Sequence, residues 1–207
     1  MLDVHAPEHR ISGKKDFVVH MATITLGLLI ALGLENAVEA LHHRQQRKEA
    51  EGLIRQELQN NRDVIKASTH GLMAELDGMK TVLKTLESVE SGGKATIQEK
   101  ELQFSEGPMQ DSAWRTASST GALSYMDYAE VEKFADAYKE QALLESMEEL
   151  TLNDYLQLVP VLQGSGGALD AEHAKAALPY ARSAMGHLSG MYFIGVGTLG
   201  AYETALK

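Results

Sequence analysis

Glutamate and histidine recur at helical spacing early in the chain, at Glu35, Glu39, His42 and His43. Residues 39–42 (Glu-Ala-Leu-His) match the Glu-x-x-His unit with which helical bundles hold di-iron carboxylate centres. Such a centre draws a second Glu-x-x-His from another helix, and this chain has none. His5 and His9 stand four apart, a spacing that two metal ligands on one helix use, but Pro7 between them opposes a fixed helix. His20 sits in an uncharged apolar run, where an ionisable group either relays protons or rests neutral at headgroup depth. Nucleophilic chemistry has no support, because cysteine is absent and no Gly-x-Ser-x-Gly elbow occurs. Gly164-Ser165-Gly166-Gly167 is glycine-rich, yet no buried strand precedes it and no Gly-Lys-Ser/Thr follows. The residues therefore point away from an enzyme: no catalytic residue, no metal site, no cofactor.

The most distinctive soluble stretch is 111–128, with the only tryptophan, Trp114, beside Arg115 and with Tyr125 and Tyr128 further on. Trp, Tyr and Arg dominate binding hot spots, so these four residues are a candidate interaction surface. The structural alternative is a short helix wedging Trp114 between longer helices, with Ala117 and Gly121 allowing close approach.

The elements that must position such residues begin with an anchor. Residues 17–34 form an uncharged run of 18, opened by Lys14, Lys15 and Asp16, and ten of them are Phe, Val, Ile or Leu. As a helix this run spans ~27 Å, close to the hydrocarbon thickness of a bilayer. A cleaved signal peptide would carry a shorter apolar stretch than this, and a buried core helix is the other alternative. The reading divides the chain into a short tail (1–16), a transmembrane anchor helix (17–41) and an acidic helical domain (42–207). Residues 1–48 hold six Lys/Arg against five Asp/Glu, whereas 49–207 hold thirteen against twenty-four, a formal −11. So acidic a domain repels phosphate backbones, which argues against a nucleic-acid partner. The basic residues tie across the anchor, three on each side; Lys14 and Lys15 abut it, which favours the amino terminus inside and the domain outside.

Beyond the anchor the spacing predicts one long helix ending at Ser91-Gly92-Gly93. Its seam carries Ile54, Leu58, Ile65, Leu72, Leu76, Met79, Leu83 and Leu86, with Asn61 and Ser68 as polar members. Residues 94–110 read as loop. Asp111 or Ser112 caps a short helix, and Asp127 with Glu130 matches a capping box for a longer one. Asn153-Asp154 is a possible interruption and Pro160 a bend or end. Asp170 opens the last helix, where Leu178, Ala181, Met185, Leu188, Tyr192, Gly195, Leu199, Tyr202 and Leu206 alternate steps of three and four, with Pro179 marking a kink. Gly186 and Gly190 form a Gly-xxx-Gly pair, and with Tyr192, Gly195 and Tyr202 they make a candidate helix-packing seam. The fold expected is all-α: an N-terminal transmembrane helix continuing into an antiparallel helical bundle.

Leu32-Gly33-Leu34-Glu35, then His42-His43-Arg44, then Trp114 with Thr120-Gly121-Ala122-Leu123, stand in an order that resembles uncharacterised bacterial single-pass membrane proteins, a family of unknown function. That resemblance implies a bacterial inner-membrane location and supplies no catalytic residues. The function expected is a non-catalytic interaction, accessory or scaffold subunit. Its partners would be the lipid bilayer and another membrane protein or itself as a homo-oligomer, with the domain on the periplasmic side. The alternative is an extracytoplasmic ligand-sensing bundle, with a pocket around Trp114 and Tyr125, that acts through a separate partner.

Overall fold

The computed structural model describes residues 13–104, 107–163 and 169–207, which are helix or connecting loop with no strand among them. His5, His9, most of the 1–16 tail and the 164–167 glycine linker lie outside the described residues. Helix α1 runs unbroken through Lys14–Glu90, 77 residues or ~115 Å at 1.5 Å per residue. It contains no proline, and isolated glycines such as Gly52 cost only about 1 kcal/mol each among good helix formers. The chain leaves α1 at Ser91 and turns left-handed at Gly92, with φ 91°.

The short helix α2 (Ser112–Ser119) precedes a 3-10 turn (Ala122–Tyr125). Between them Gly121 adopts φ 75°, a conformation that a residue without Cβ takes at no steric cost. Helix α3 (Tyr128–Gln163) begins after Asp127, whose Oδ1 accepts from the Ala129 N–H at 2.9 Å. The capping box is not closed, because the Glu130 carboxylate pairs with Arg55 of α1 instead. Asn153-Asp154 does not interrupt α3, since Asp154 faces inward and its carboxylate meets His187 Nδ1 at 2.7 Å. Pro160 sits in the last turn, and α3 ends three residues later. Helix α4 (Ala171–Ala205) continues through Pro179 and is capped by Asp170, which accepts from the His173 N–H at 2.8 Å. That backbone bond holds the Asp170 carboxyl below its ordinary range.

Helices α1 and α3 run parallel: Arg55 meets Glu130, and further out Asn61 meets Gln141. Parallel neighbours need a crossover, and residues 91–127 supply it by returning down α1. Glu101 lies at Gly78, Gln110 at Asn61, Ser112 at Glu57 and Tyr125 at His43. Two glycines allow this approach. A Cβ at Gly78 would stand 2.9 Å from the Glu101 carbonyl oxygen, and one at Gly107 would collide with the Val64 side chain. The stretch read as loop thus includes a 3-10 turn (Glu99–Leu102), closed by the Gln98 N–H donating to Glu101 Oε2 at 3.0 Å. Helix α4 is antiparallel to both long neighbours: Arg182 reaches Glu87, Thr151 meets Met191, and Arg55 Nη1 donates to the Ala205 carbonyl at 3.3 Å.

The seams hold at most of the expected positions and shift by one residue at the others. In α4 the inward positions 174, 177, 181, 184, 188, 191, 195, 198, 202 and 205 alternate three and four, and Leu178 beside them is buried too. Leu178, Ala181, Leu188, Gly195 and Tyr202 were expected there, whereas Met185, Tyr192, Leu199 and Leu206 flank the seam half-buried. In α1, Glu75 and Val82 are buried where Leu76 and Leu83 were expected. Gly190 packs against Met147, but Gly186 faces open space, so the Gly-xxx-Gly pair is not a packing unit within this chain.

Candidate functional site

The most organised chemistry lies where the returning segment is tied to the bundle. Glu57 of α1 is 5% exposed. Its Oε2 accepts from Ser112 Oγ and the Ala113 N–H, both at 2.9 Å, and its Oε1 accepts from the Tyr138 hydroxyl at 2.6 Å. A carboxylate at a helix start satisfies donors that the helix itself leaves unpaired. Helix α2 is therefore capped from α1; of the two caps expected from sequence, Asp111 stands at the N-cap but makes no side-chain capping bond, and the Ser112 hydroxyl donates to Glu57.

One turn further, Asn61 is 1% exposed. Its Nδ2 donates to the Gln110 carbonyl (2.6 Å) and Gln141 Oε1 (3.0 Å), while its Oδ1 accepts from the Gln110 N–H (2.9 Å). The Tyr202 hydroxyl donates to the same Gln141 Oε1 (2.5 Å), and Gln141 Nε2 donates to Glu145 (2.9 Å). One buried polar layer thus joins α1, the return segment, α3 and α4. Burial raises the Tyr138 hydroxyl far above its ordinary pKa, helped by the Glu57 bond. Burial likewise raises Tyr155 and Tyr202, with the Asn61 contact partly opposing it at Tyr202. Nothing in this layer brings a nucleophile together with a base; its geometry is that of a clamp.

The four interaction candidates divide. Trp114 is half-buried and stacks on Tyr138, ring centres 5.3 Å apart. Tyr125 stacks on His43 at 4.0 Å. Arg115 is exposed near Asp111, and Tyr128 is 81% exposed. Trp114 and Tyr125 thus serve separate contacts. Beside Trp114 lies an open cleft of about 410 Å³, bordered by Asp111, Arg115, Lys139 and Glu145. Glu39 approaches His43 at 3.8 Å rather than His42. Among the described residues, no three His, Asp or Glu side chains converge as metal ligands would.

Two further surfaces stand out. The apolar residues of α1 from Phe17 to Leu41 are exposed, and the membrane-length window has none of its residues buried within the chain. Residues 183–202 of α4 contain no Asp, Glu, Lys or Arg, and their outward side presents Gly186, Phe193 (75% exposed), Val196, Gly197 and Gly200. From sequence, 188–202 reads as a packed bundle helix with an interfacial or spanning helix as the alternative, and only Gly186, Gly190 and Gly195 are given to the seam; the uncharged stretch of twenty was the signal for a second face. Comparison with protein-family models, with curated proteins and with solved structures finds no match to this chain.

Proposed function

We propose that this chain is a non-catalytic, membrane-anchored interaction protein, an accessory or scaffold subunit of the bacterial inner membrane with its helical domain on the periplasmic side. The observation that carries the reading is the apolar start of α1, exposed along its whole length and continuous with the bundle through an unbroken helix. Transferring its ten Phe, Val, Ile and Leu side chains to lipid is favourable by roughly 0.3–0.6 kcal/mol each, more than its two Thr, two Gly and His20 oppose. The outward face of α4 supports the interaction half of the reading. A tethered domain meets lateral partners at raised effective concentration, so a modest apolar face suffices for association.

Membranes carrying the full chain test both halves. After carbonate washing the protein is expected in the pellet. With no native cysteine to interfere, Phe193→Cys is expected to cross-link to a second chain, of this protein or a neighbour, while an exposed control on α3, Glu132→Cys, does not. Release into the supernatant would remove the anchor; a monomeric Phe193→Cys species in native membranes would remove the partner.

A further inference from the structure

We infer that the end of the bundle nearest the anchor is a second membrane contact, a cationic collar on α1 with the 121–128 turn seated on it, which binds the phosphates of anionic lipid headgroups. This rests on the anchor reading above. The collar is 42–48, His-His-Arg-Gln-Gln-Arg-Lys, three formal positive charges with no acid among them. With 17–34 in hydrocarbon, a headgroup layer ~5–8 Å deep takes up the next four or five residues, leaving the backbone of Arg44 ~7–10 Å outside it, about one Debye length, and that of Lys48 ~13–16 Å outside it. Helical Cα–Cβ bonds tilt towards the amino terminus, and α1 leaves the membrane in the opposite sense. Arg44, Arg47 and Lys48 therefore lean back towards the lipid, within reach of their long side chains.

Their pairing differs from that of the cations above them. Arg55 is held by Glu51 and Glu130, and Arg62 by Asp63. Among the described residues no carboxylate pairs with Arg44, Arg47 or Lys48, and Arg47 Nε is enclosed with no hydrogen-bond partner. Of the acids at this end, Glu51 and Glu130 are taken by Arg55, whereas Glu35, Glu39, Glu49 and Asp127 keep their charge and oppose an anion, so the attraction rests on the three cations that no carboxylate pairs. The turn adds aromatic surface at the same level, with Tyr125 stacked on His43, and tyrosine favours the headgroup zone. The remaining acids of the domain lie along the bundle, away from the surface, where screening removes most of their repulsion.

The test uses the full-length chain in vesicles of phosphatidylcholine alone or with one third phosphatidylglycerol, with one nitroxide per protein. The label at Ser124→Cys is expected to lose accessibility to a water-soluble nickel chelate when the anionic lipid is present. Replacing Arg44, Arg47 and Lys48 by Gln should restore it, each cation being worth about fivefold in the docked population. A label at Leu29→Cys should report hydrocarbon in both vesicles and one at Glu90→Cys should report water. Equal aqueous exposure of Ser124→Cys in both vesicles, with Leu29→Cys in hydrocarbon, overturns the docking alone. An aqueous Leu29→Cys overturns the anchor, and the docking falls with it.

Discussion

Glu57 illustrates how a single carboxylate replaces several local devices. It receives three donors from the start of α2 and one from Tyr138, so Glu57→Ala strands the Tyr138 hydroxyl and the Ala113 and Trp114 N–H groups, while the exposed Ser112 hydroxyl turns to water. The expected loss is about 3 kcal/mol, from unsatisfied donors plus a missing cap, and Glu57→Gln should keep most of the stability because its oxygen still accepts. Hydrogen exchange should show 112–119 opening first while α3 and α4 stay protected; uniform opening would mean that the clamp is not local. The buried tyrosines make an independent prediction. Tyr138, Tyr155 and Tyr202 have native pKa values above the ordinary 10.0. Below pH 10 they are protonated in both states and their contribution is whole. Above it the unfolded chain releases protons that the native one keeps, so stability falls as pH rises. An unfolding midpoint that is flat across this range would contradict the burial, and Tyr138→Phe should reduce the slope. Asn61 was visible beforehand as a polar member of an apolar seam. Glu57 was not, because glutamate beside Leu58 reads as solvated surface until a second element brings donors to it.

At the scale of elements, the return of 91–127 along α1 depends on two places without a side chain. Gly78→Ala puts a methyl 2.9 Å from the backbone oxygen of Glu101, so the 3-10 turn must lift. Despite the better helix former, a net destabilisation of about 1–2 kcal/mol is expected by thermal unfolding, whereas Gly186→Ala, facing open space, should stabilise by up to about 1 kcal/mol. A gain at both positions would show that the segment does not rest on the helix. The long helices, their stops and the Asp170 cap were legible because period, glycine and capping residues act locally. The exact seam was less so. Where Ala184, Thr198 and Ala205 take inward positions of α4, hydropathy favoured their larger neighbours Met185, Leu199 and Leu206, and those positions came out one residue late while Leu178, Ala181, Leu188, Gly195 and Tyr202 did not. Small inward residues are chosen by how closely two backbones approach, which one strand of text does not record. The crossover was hidden for the same reason: Gly107-Pro108 looks like any loop until Val64 lies beneath it.

For the molecule as a whole, the division into an uncharged start and an acidic remainder was plain from charge alone, and the all-α architecture follows from it and from the periodicity. The interaction face was not, since whether Phe193 points inward or outward depends on the α4 register. Changing Phe193 and Val196 together to Asp should leave the unfolding midpoint within about 0.5 kcal/mol of the parent, as exposed sites do, while abolishing the cross-links that report association. A large loss of stability instead would mean that this face is already covered inside the chain. The unbroken run of α1 has a mechanical corollary. From Leu41 to Glu90 the rod extends ~74 Å, and, on the anchor reading proposed above, a change in bilayer thickness that tilts the lipid-embedded part by ~10° would swing the outer tip sideways by ~13 Å. With neither proline nor hinge between lipid and tip, such a lever converts ångström adjustments at its foot into displacements as wide as a helix.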